Sequence, residues 1–252
     1  MNTILSGERI VKSFGDGAER RNVLDGVSVE IRPGEFVSIM GPSGSGKTTL
    51  LYSLSGMDRV DGGRILFEGR DLSGMRDDDL ADLRRRRMGF VFQQPTLLGN
   101  LDLLDNIILP AVRDDRRGTD RHVEKARDLM RRTGIAGLER RSVSQVSGGQ
   151  LQRAGICRAL LRDPAVLFGD EPTGALNSAS AREILDILSE VNAAGTAVLL
   201  VTHDAAVAAR AGRVLFLRDG RIDRELELGP PDGRGLEDRA LRVSEAMREL
   251  GI

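Results

Sequence analysis

The stretch from Phe36 to Leu54 limits the possible folds of this chain most strongly. It opens with FVSIM, a short apolar run typical of a buried strand, and continues directly into GPSGSGKTTLL, a glycine loop followed by a helix-forming run. The loop from Gly41 to Thr48 matches G-x-x-x-x-G-K-[ST] in full, between a strand and a helix as that pattern requires. Glycines let consecutive backbone N–H groups point inward, and the helix N-terminus adds a positive dipole. We therefore expect a phosphate-binding loop.

Two side chains of this loop add to the chemistry. Lys47 can supply a point charge for the β- and γ-phosphates of a nucleotide, and the Thr48 hydroxyl can ligate Mg²⁺. The loop alone leaves open a transporter ATPase, a small-molecule kinase and a GTPase. The chain has no guanine-reading N-K-x-D segment, which disfavours the GTPase.

The rest of the chain alternates strand-like and helix-like segments. Residues 1–35 have alternating apolar positions and turn signals, which predict short antiparallel strands. Later apolar runs separated by helical stretches predict a parallel sheet, and these runs are 88–92, 165–168, 196–201 and 213–217. Helices are predicted at 179–194 and 204–211, and residues 97–160 are predicted to be mainly helical, with a loop near 113–119.

These segments predict an α/β fold with an N-terminal antiparallel β subdomain and an inserted α-helical subdomain. We expect one domain over residues 1–228, with the helical insertion at about 94–162. Residues 229–252 form a C-terminal tail that can be written as an amphipathic helix.

Composition excludes several classes of function. The chain has 252 residues and a net charge of −1, which argues against a general electrostatic grip on nucleic acid. Its single cysteine excludes an intramolecular disulfide. The DDD and RRRR runs within 71–87 are interpreted as a solvated helix face, and His122 as a surface residue without a role.

Further polar residues follow predicted core strands. Asp170 and Glu171 come directly after an apolar strand, where Asp170 could hold Mg²⁺ and Glu171 could activate a water molecule as general base. Gln93 follows the strand GFVF, and its amide could contact Mg²⁺ or the lytic water. His203 follows another core strand and could donate a hydrogen bond to the γ-phosphate.

Five motifs then stand in order: GPSGSGKTT, VFQQ, VSGGQLQR, VLFGDEP and VTHD. Together they resemble the ATP-binding cassette (ABC) ATPases over about residues 4–225. Within that family the chain is similar to the ATPase subunits of macrolide exporters, lipoprotein-release systems and bacitracin-type resistance transporters. The segments that carry this closer resemblance are 91–110, 147–160 and 170–178.

The resemblance implies a P-loop NTPase core of the RecA type and assigns roles to residues of this chain. Phe14 resembles the aromatic residue that stacks on adenine. The catalytic residues implied are Glu171, His203 and Gln93, and the metal ligands are Thr48, Gln93 and Asp170. The nucleotide-binding residues implied are Phe14, Gly41, Ser43, Gly44, Ser45, Gly46, Lys47, Thr48, Thr49, Ser147, Gly148, Gly149 and Gln150. The last four would act on ATP held by a second copy, because the family's sites form between two subunits packed head to tail.

Three positions depart from the family pattern. Val146 stands where Leu is usual, Gly169 where Ala is common, and Asn177 where Asp is usual. Asn177 keeps the size of Asp and loses its charge, which affects the expected coupling across the dimer interface. The general base and the histidine are both present, so the pattern is not that of a degenerate ATPase.

The resemblance implies an ATP-hydrolysing motor subunit with ATP and Mg²⁺, working as a homodimer on a separate integral membrane permease, and no nucleic-acid partner. Export or resistance is the expected type of transport. A regulatory subunit that remodels the cell envelope or senses antibiotics without moving solute is the alternative. A soluble ABC ATPase of DNA repair or translation is disfavoured, because those usually carry two cassettes or long insertions. A kinase would leave SGGQ unexplained.

The expected location is cytoplasmic, at the inner face of the membrane through the permease. The N-terminus lacks the pattern of a signal peptide, and no apolar run approaches the roughly 20 residues that span a bilayer.

Overall fold

The computed structural model describes residues 3–230 and 235–252. Its strands are β1 (Leu5–Phe14), β2 (Arg21–Ile31), β3 (Phe36–Met40), β4 (Gly62–Phe67), β5 (Arg70–Asp71), β6 (Met88–Phe92), β7 (Val166–Asp170), β8 (Ala197–Val201), β9 (Arg213–Arg218) and β10 (Arg221–Glu227). Its helices are α1 (Lys47–Leu54), α2 (Asp77–Arg87), α3 (Leu103–Asp114), α4 (Thr119–Arg132), α5 (Gly148–Leu160), α6 (Ser178–Ala193), α7 (Ala205–Ala208) and α8 (Leu236–Glu249).

The chain divides into two compact units, and each is described by itself. The first comprises Met1–Ala81 with Asn192–Ile252, and the second comprises Asp82–Val191.

The first unit contains two sheet regions. One is antiparallel, with strand order β2-β1-β4-β5. In the other, β3 lies between β8 and β9 and pairs parallel with both, while β10 pairs antiparallel with β9. Every residue of β3 and β8 is buried, as expected for central strands of a parallel sheet covered on both faces.

In the second unit β6 and β7 pair in parallel, with Phe92 opposite Asp170 at their carboxyl ends. Helices α3, α4 and α5 pack against one another, and α5 also packs on β6. The apolar stripe of α4, with Ala126, Leu129 and Met130 buried, explains how so polar a helix is held.

The C-terminal helix α8 belongs to the first unit. Val243 and Ala246 are buried in a cluster with Met40, Val214 and Phe216. The predicted tail also includes residues 231–234, which lie outside the described residues.

Some local predictions need correction. Strand β10 was not predicted, because its residues alternate between exposed and half-buried and include no apolar run. Helix α7 is shorter than the predicted 204–211.

Two surface predictions need correction at single residues. The charged runs are exposed as expected at Asp77, Asp78, Arg86 and Arg87. In the RRRR run, Arg85 is not solvated: its side chain is 12% exposed and binds the carboxylate of Asp114 at 2.7 Å. His122 of α4 is not a fully exposed surface residue, since its side chain is 13% exposed and its Nε2 lies 3.8 Å from the Asp115 carboxylate. In both places, a residue that composition assigns to solvent lies on the side of its helix that packs against the same unit.

Among the residues described, no helix is long and apolar enough to cross a membrane.

Candidate functional site

The phosphate loop begins where β3 ends, and Gly41 is required there by its surroundings. Its φ of +154° lies in the region that favours glycine, and a Cβ at this position would stand 2.0 Å from the Leu217 carbonyl oxygen and 2.8 Å from Ser45 Oγ. The backbone of β9 therefore passes directly against the start of the loop. Only a residue without a side chain allows that close approach.

The loop ends at Gly46, which precedes helix α1 with a φ of +100°. No side chain caps this helix start among the described residues, and the N-terminus of a helix favours a bound anion. The ammonium of Lys47 bends back over the loop and donates to the carbonyl oxygens of Gly41 and Pro42, each at 2.9 Å. A cation and a helix N-terminus thus converge on one loop.

The other polar groups of the loop fit a phosphate ligand. Ser43, Gly44 and Thr48 are exposed, and Thr49 is half-buried. Ser45 is 4% exposed, and its hydroxyl has no hydrogen-bond partner within the described part of the chain. An orphaned buried hydroxyl in a glycine-rich loop is a feature that a bound polyanion would satisfy.

The exposed aromatic residue of this unit is Phe14, at the end of β1. Its ring is 50% exposed, and the ammonium of Lys12 lies 5.1 Å from the ring centroid. Lys12 is itself held by the carboxylate of Asp58 at 2.6 Å. A ring fixed in this way presents a flat apolar surface to solvent, which suits the stacking of a base.

His203 lies at the same edge of the sheet as the phosphate loop. Ile39 pairs with Val201 in the parallel ladder, so Gly41 and His203 each stand two residues beyond a paired position. The His203 side chain is exposed, while Thr202 before it is buried and donates its backbone N–H to Ile39. The sheet thus brings His203 beside the loop within one unit.

Gln93 and Glu171, both in the second unit, come together over a single glycine. The last pair of the ladder between β6 and β7 is Phe92 opposite Asp170. Gln93 directly follows the first of these residues, and Glu171 directly follows the second. A Cβ built on Gly174 would lie 3.0 Å from Gln93 Nε2 and 3.3 Å from Glu171 Oε2, so both side chains reach the same spot. A carboxylate and an amide at one point can bind and orient a water molecule.

Glu171 has an unusual backbone. Its φ is +46°, in the left-handed region, and its carbonyl accepts the N–H of Gly174 at 3.0 Å. Such a conformation costs a non-glycine residue on the order of 1 kcal/mol, and strain of this kind concentrates at functional sites. Asp170, one residue earlier, is half-buried at the end of β7.

The segment SGGQ forms the start of α5. Ser147 Oγ accepts the N–H of Gln150 at 3.3 Å, and Gln150 Oε1 accepts the N–H of Ser147 at 2.9 Å, which is a capping box. Ser147 and Gly148 are exposed, while Gly149 packs against Ser180. The side chains of Ser147 and Gln150 therefore cap the start of α5, and this start is exposed to solvent.

Asn177, the departure from the family's Asp, has a clear structural role. Its side-chain oxygen accepts the N–H of Ser180 at 2.9 Å at the start of α6. Asn and Asp cap helices about equally well, so the change keeps the local structure.

One residue near this site was missed by sequence reasoning. Gln152 is 1% exposed, and its amide contacts the backbone beside both Gln93 and Glu171. A glutamine at a buried position of an otherwise apolar helix face was the available signal.

Known proteins resemble this chain over most of its length. The ABC transporter family model matches residues 24–174. The bacitracin export ATP-binding protein BceA of Halalkalibacterium halodurans is 38% identical, covering 99% of this chain and 96% of that protein. The macrolide export ATP-binding/permease protein MacB of Chromobacterium violaceum is 42% identical over 95% of this chain, which spans only 36% of MacB.

Solved structures of ATP-binding cassettes also resemble this chain. The ATP-binding cassette MJ0796, as a dimer in a post-hydrolysis state bound to ADP and Pi, superposes with a TM-score of 0.82 at 35% identity, covering 89% of this chain and 98% of that chain. The cassette MJ1267 in its ADP conformation gives a TM-score of 0.78 at 26% identity, covering 97% and 99%. These likenesses confirm the predicted α/β fold with a P-loop NTPase core and the predicted resemblance. The chain is a member of the ABC transporter family, as an ATP-binding cassette ATPase.

Proposed function

We propose that this chain is the motor subunit of an export-type or resistance-type ABC transporter, hydrolysing ATP as a head-to-tail dimer to drive a membrane permease. The observation that carries the hydrolytic part is the convergence of Gln93 and Glu171 over Gly174. The names of the relatives, bacitracin export and macrolide export, support the transport class.

Binding of ATP falls to the first unit. The loop N–H groups and Lys47 hold the phosphates, and the Phe14 ring supports the adenine. The Ser45 hydroxyl, orphaned within the described residues, gains an acceptor when phosphate is present. In the dimer, Ser147, Gly148, Gly149 and Gln150 of one copy face the ATP of the other.

Hydrolysis needs a base, an oriented water and stabilisation of developing charge. Glu171 accepts the proton of the water whose oxygen attacks the γ-phosphorus, Gln93 orients that water, and ADP leaves with its bridging oxygen. His203 donates a hydrogen bond to the γ-phosphate. These assignments rest on the motif pattern together with the local geometry of each residue.

The motif pattern implies a hydroxyl from Thr48, an amide from Gln93 and a carboxylate from Asp170 as the Mg²⁺ ligands. Oxygen donors of these kinds have the chemistry that this ion prefers. The described residues hold no cluster of three His, Cys, Asp or Glu that could bind a metal alone. Mg²⁺ characteristically uses one or two carboxylates together with substrate phosphates. When bound, it would neutralise charge on the β- and γ-phosphate oxygens.

The test of the ATPase assignment is Glu171→Gln. The change keeps the side-chain size, and we expect the ATP turnover rate to fall by about 100-fold or more, because a general base contributes that much. ATP binding should persist, and the variant should accumulate as an ATP-dependent dimer in light-scattering chromatography. Glu190→Gln, an exposed residue of α6, is the matched control with the same charge change. Normal turnover by Glu171→Gln would overturn the assignment.

The test of the transport role is co-purification with a permease, followed by reconstitution in lipid vesicles. ATP-dependent movement of a peptide or macrolide substrate supports an exporter and places the chain at the inner membrane face. Stimulated ATPase activity without solute movement supports the regulatory alternative.

A further inference from the structure

Gln152 lies in the second turn of α5, the helix that begins at Ser147-Gly148-Gly149. Its side-chain amide nitrogen donates to the Phe92 carbonyl at 2.8 Å and to the Pro172 carbonyl at 2.7 Å. With 1% of the residue exposed, water cannot replace these two bonds. Both hydrogens of the amide group are therefore used, one at the end of β6 and one just after β7.

The two carbonyls adjoin the residues proposed for hydrolysis. Phe92 directly precedes Gln93, and Pro172 directly follows Glu171. The ladder of β6 and β7 ends at the pair Phe92–Asp170, and backbone groups beyond it need other partners. Gln152 donates one hydrogen bond at the end of β6, to Phe92, and one just after β7, to Pro172.

We propose that Gln152 is a positioning residue that ties the SGGQ helix to Gln93 and Glu171 of the same chain. Because α5 starts at the surface that faces a second copy in the proposed dimer, docking of that copy acts on the helix that holds the hydrolytic pair. The inference rests on the proposed function and extends it: Gln152 is buried and acts through the backbone of residues 92–93 and 171–172.

The choice of glutamine follows from this geometry. A methionine fills a similar volume but has no donor, so Gln152→Met removes both hydrogen bonds. An asparagine keeps the amide but is one methylene shorter, so Gln152→Asn cannot keep both bonds at their present lengths.

The matched control is Asn106, a second buried amide of the same unit, also 1% exposed. Its nitrogen donates to the carbonyls of Leu98, Leu101 and Asp102, away from Gln93 and Glu171. Asn106→Leu should therefore lower stability without specifically lowering turnover.

The experiment measures ATP turnover, ATP binding and hydrogen–deuterium exchange on the full chain of each variant. For Gln152→Met we expect kcat to fall by about 10- to 100-fold, because misplacement of reacting groups by about 1 Å costs that much, while the Kd for ATP stays near the wild-type value. Gln152→Asn should fall between wild type and Gln152→Met. Peptides covering 90–95 and 169–175 should exchange faster in both variants without nucleotide.

Exchange and turnover separate the two hypotheses. Unchanged exchange at 90–95 and 169–175, or equal loss of kcat in Gln152→Met and Asn106→Leu, would overturn the positioning role. A wild-type chain that does not hydrolyse ATP would refute the proposed function, and the exchange measurement would still decide whether Gln152 holds these two segments. If Gln152→Met does not fold, Gln152→Asn decides by the same criteria.

Discussion

Replacing Gly41 by alanine tests whether the close passage of β9 determines the phosphate loop. The new methyl would stand 2.0 Å from the Leu217 carbonyl oxygen, so that contact must open by about 1 Å to reach the shortest separation that real Cβ atoms show. The φ of +154° adds backbone strain. Strain of this kind costs about 1–3 kcal/mol, and overpacking a tight site costs about as much again. We expect Gly41→Ala to lose about 2–6 kcal/mol of unfolding free energy.

Two other glycines separate strain, clash and ligand contact. Gly69, in the turn between β4 and β5, has a φ of +77° with no described atom within 4 Å of a built Cβ. Gly69→Ala should cost only about 1–2 kcal/mol and leave ATP affinity unchanged. Gly44 has a similar φ of +78° and equally open surroundings. Gly44→Ala should cost about as much stability as Gly69→Ala, yet weaken ATP binding, because Gly44 lies within the loop proposed to hold the phosphates.

The assay combines urea unfolding with titration of a fluorescent ATP analogue. Gly41→Ala should lose at least about tenfold in affinity, since the loop must move by about 1 Å. The reasoning is refuted if Gly41→Ala and Gly69→Ala are equally stable. It is also refuted if Gly44→Ala binds ATP as well as wild type, because the phosphates would then lie elsewhere.

Three further predictions concern other parts of the chain. Arg239 is 8% exposed and donates to the carbonyls of Ala209, Ala211, Leu228 and Gly229. Arg239→Met should therefore lower the free energy of unfolding in urea by about 2–4 kcal/mol. Replacing the exposed Arg242 in the same way should lower it by about 0.5 kcal/mol or less, and equal losses would contradict the prediction. Burial lowers the pKa of His122 below its ordinary 6.5, although the Asp115 carboxylate acts in the opposite direction. The unfolded chain therefore binds more protons than the folded one, and stability falls as pH drops below about 6.5. His122→Gln should flatten that part of a plot of melting temperature against pH. Burial raises the pKa of the Cys157 thiol to about 11, so iodoacetamide at pH 8 should label it only after denaturation, and rapid native labelling would show the site to be open.

Much of the candidate site could be predicted because its chemistry is local in sequence. The loop from Gly41 to Thr48 carries its glycines, cation and helix start within eight residues. Asp170 and Glu171 follow an apolar run that is typical of a buried strand. The parallel sheet then places His203 beside Gly41, because strand ends on one edge share a side.

Other features could not be predicted, since they depend on segments distant in sequence. Composition placed His122 and Arg85 in solvent, yet packing within their unit covers both side chains, because a helix face is defined by its neighbours as well as by its own residues. Strand β10 was missed for the same reason: only its ladder with β9 makes a polar segment a strand.

The sequence by itself determined the family and predicted the nucleotide ligand and the candidate residues for the chemistry, because each motif brings its donors together within a few residues of backbone. The tertiary structure alone decided how those motifs are held. It places the Leu217 carbonyl against Gly41 and brings Gln93 and Glu171 together over Gly174. It also joins the carbonyls of Phe92 and Pro172, next to those two residues, to α5 through Gln152. Buried backbone groups must find partners wherever the fold brings them, and such pairings across 20 to 60 residues leave no periodic trace in the sequence.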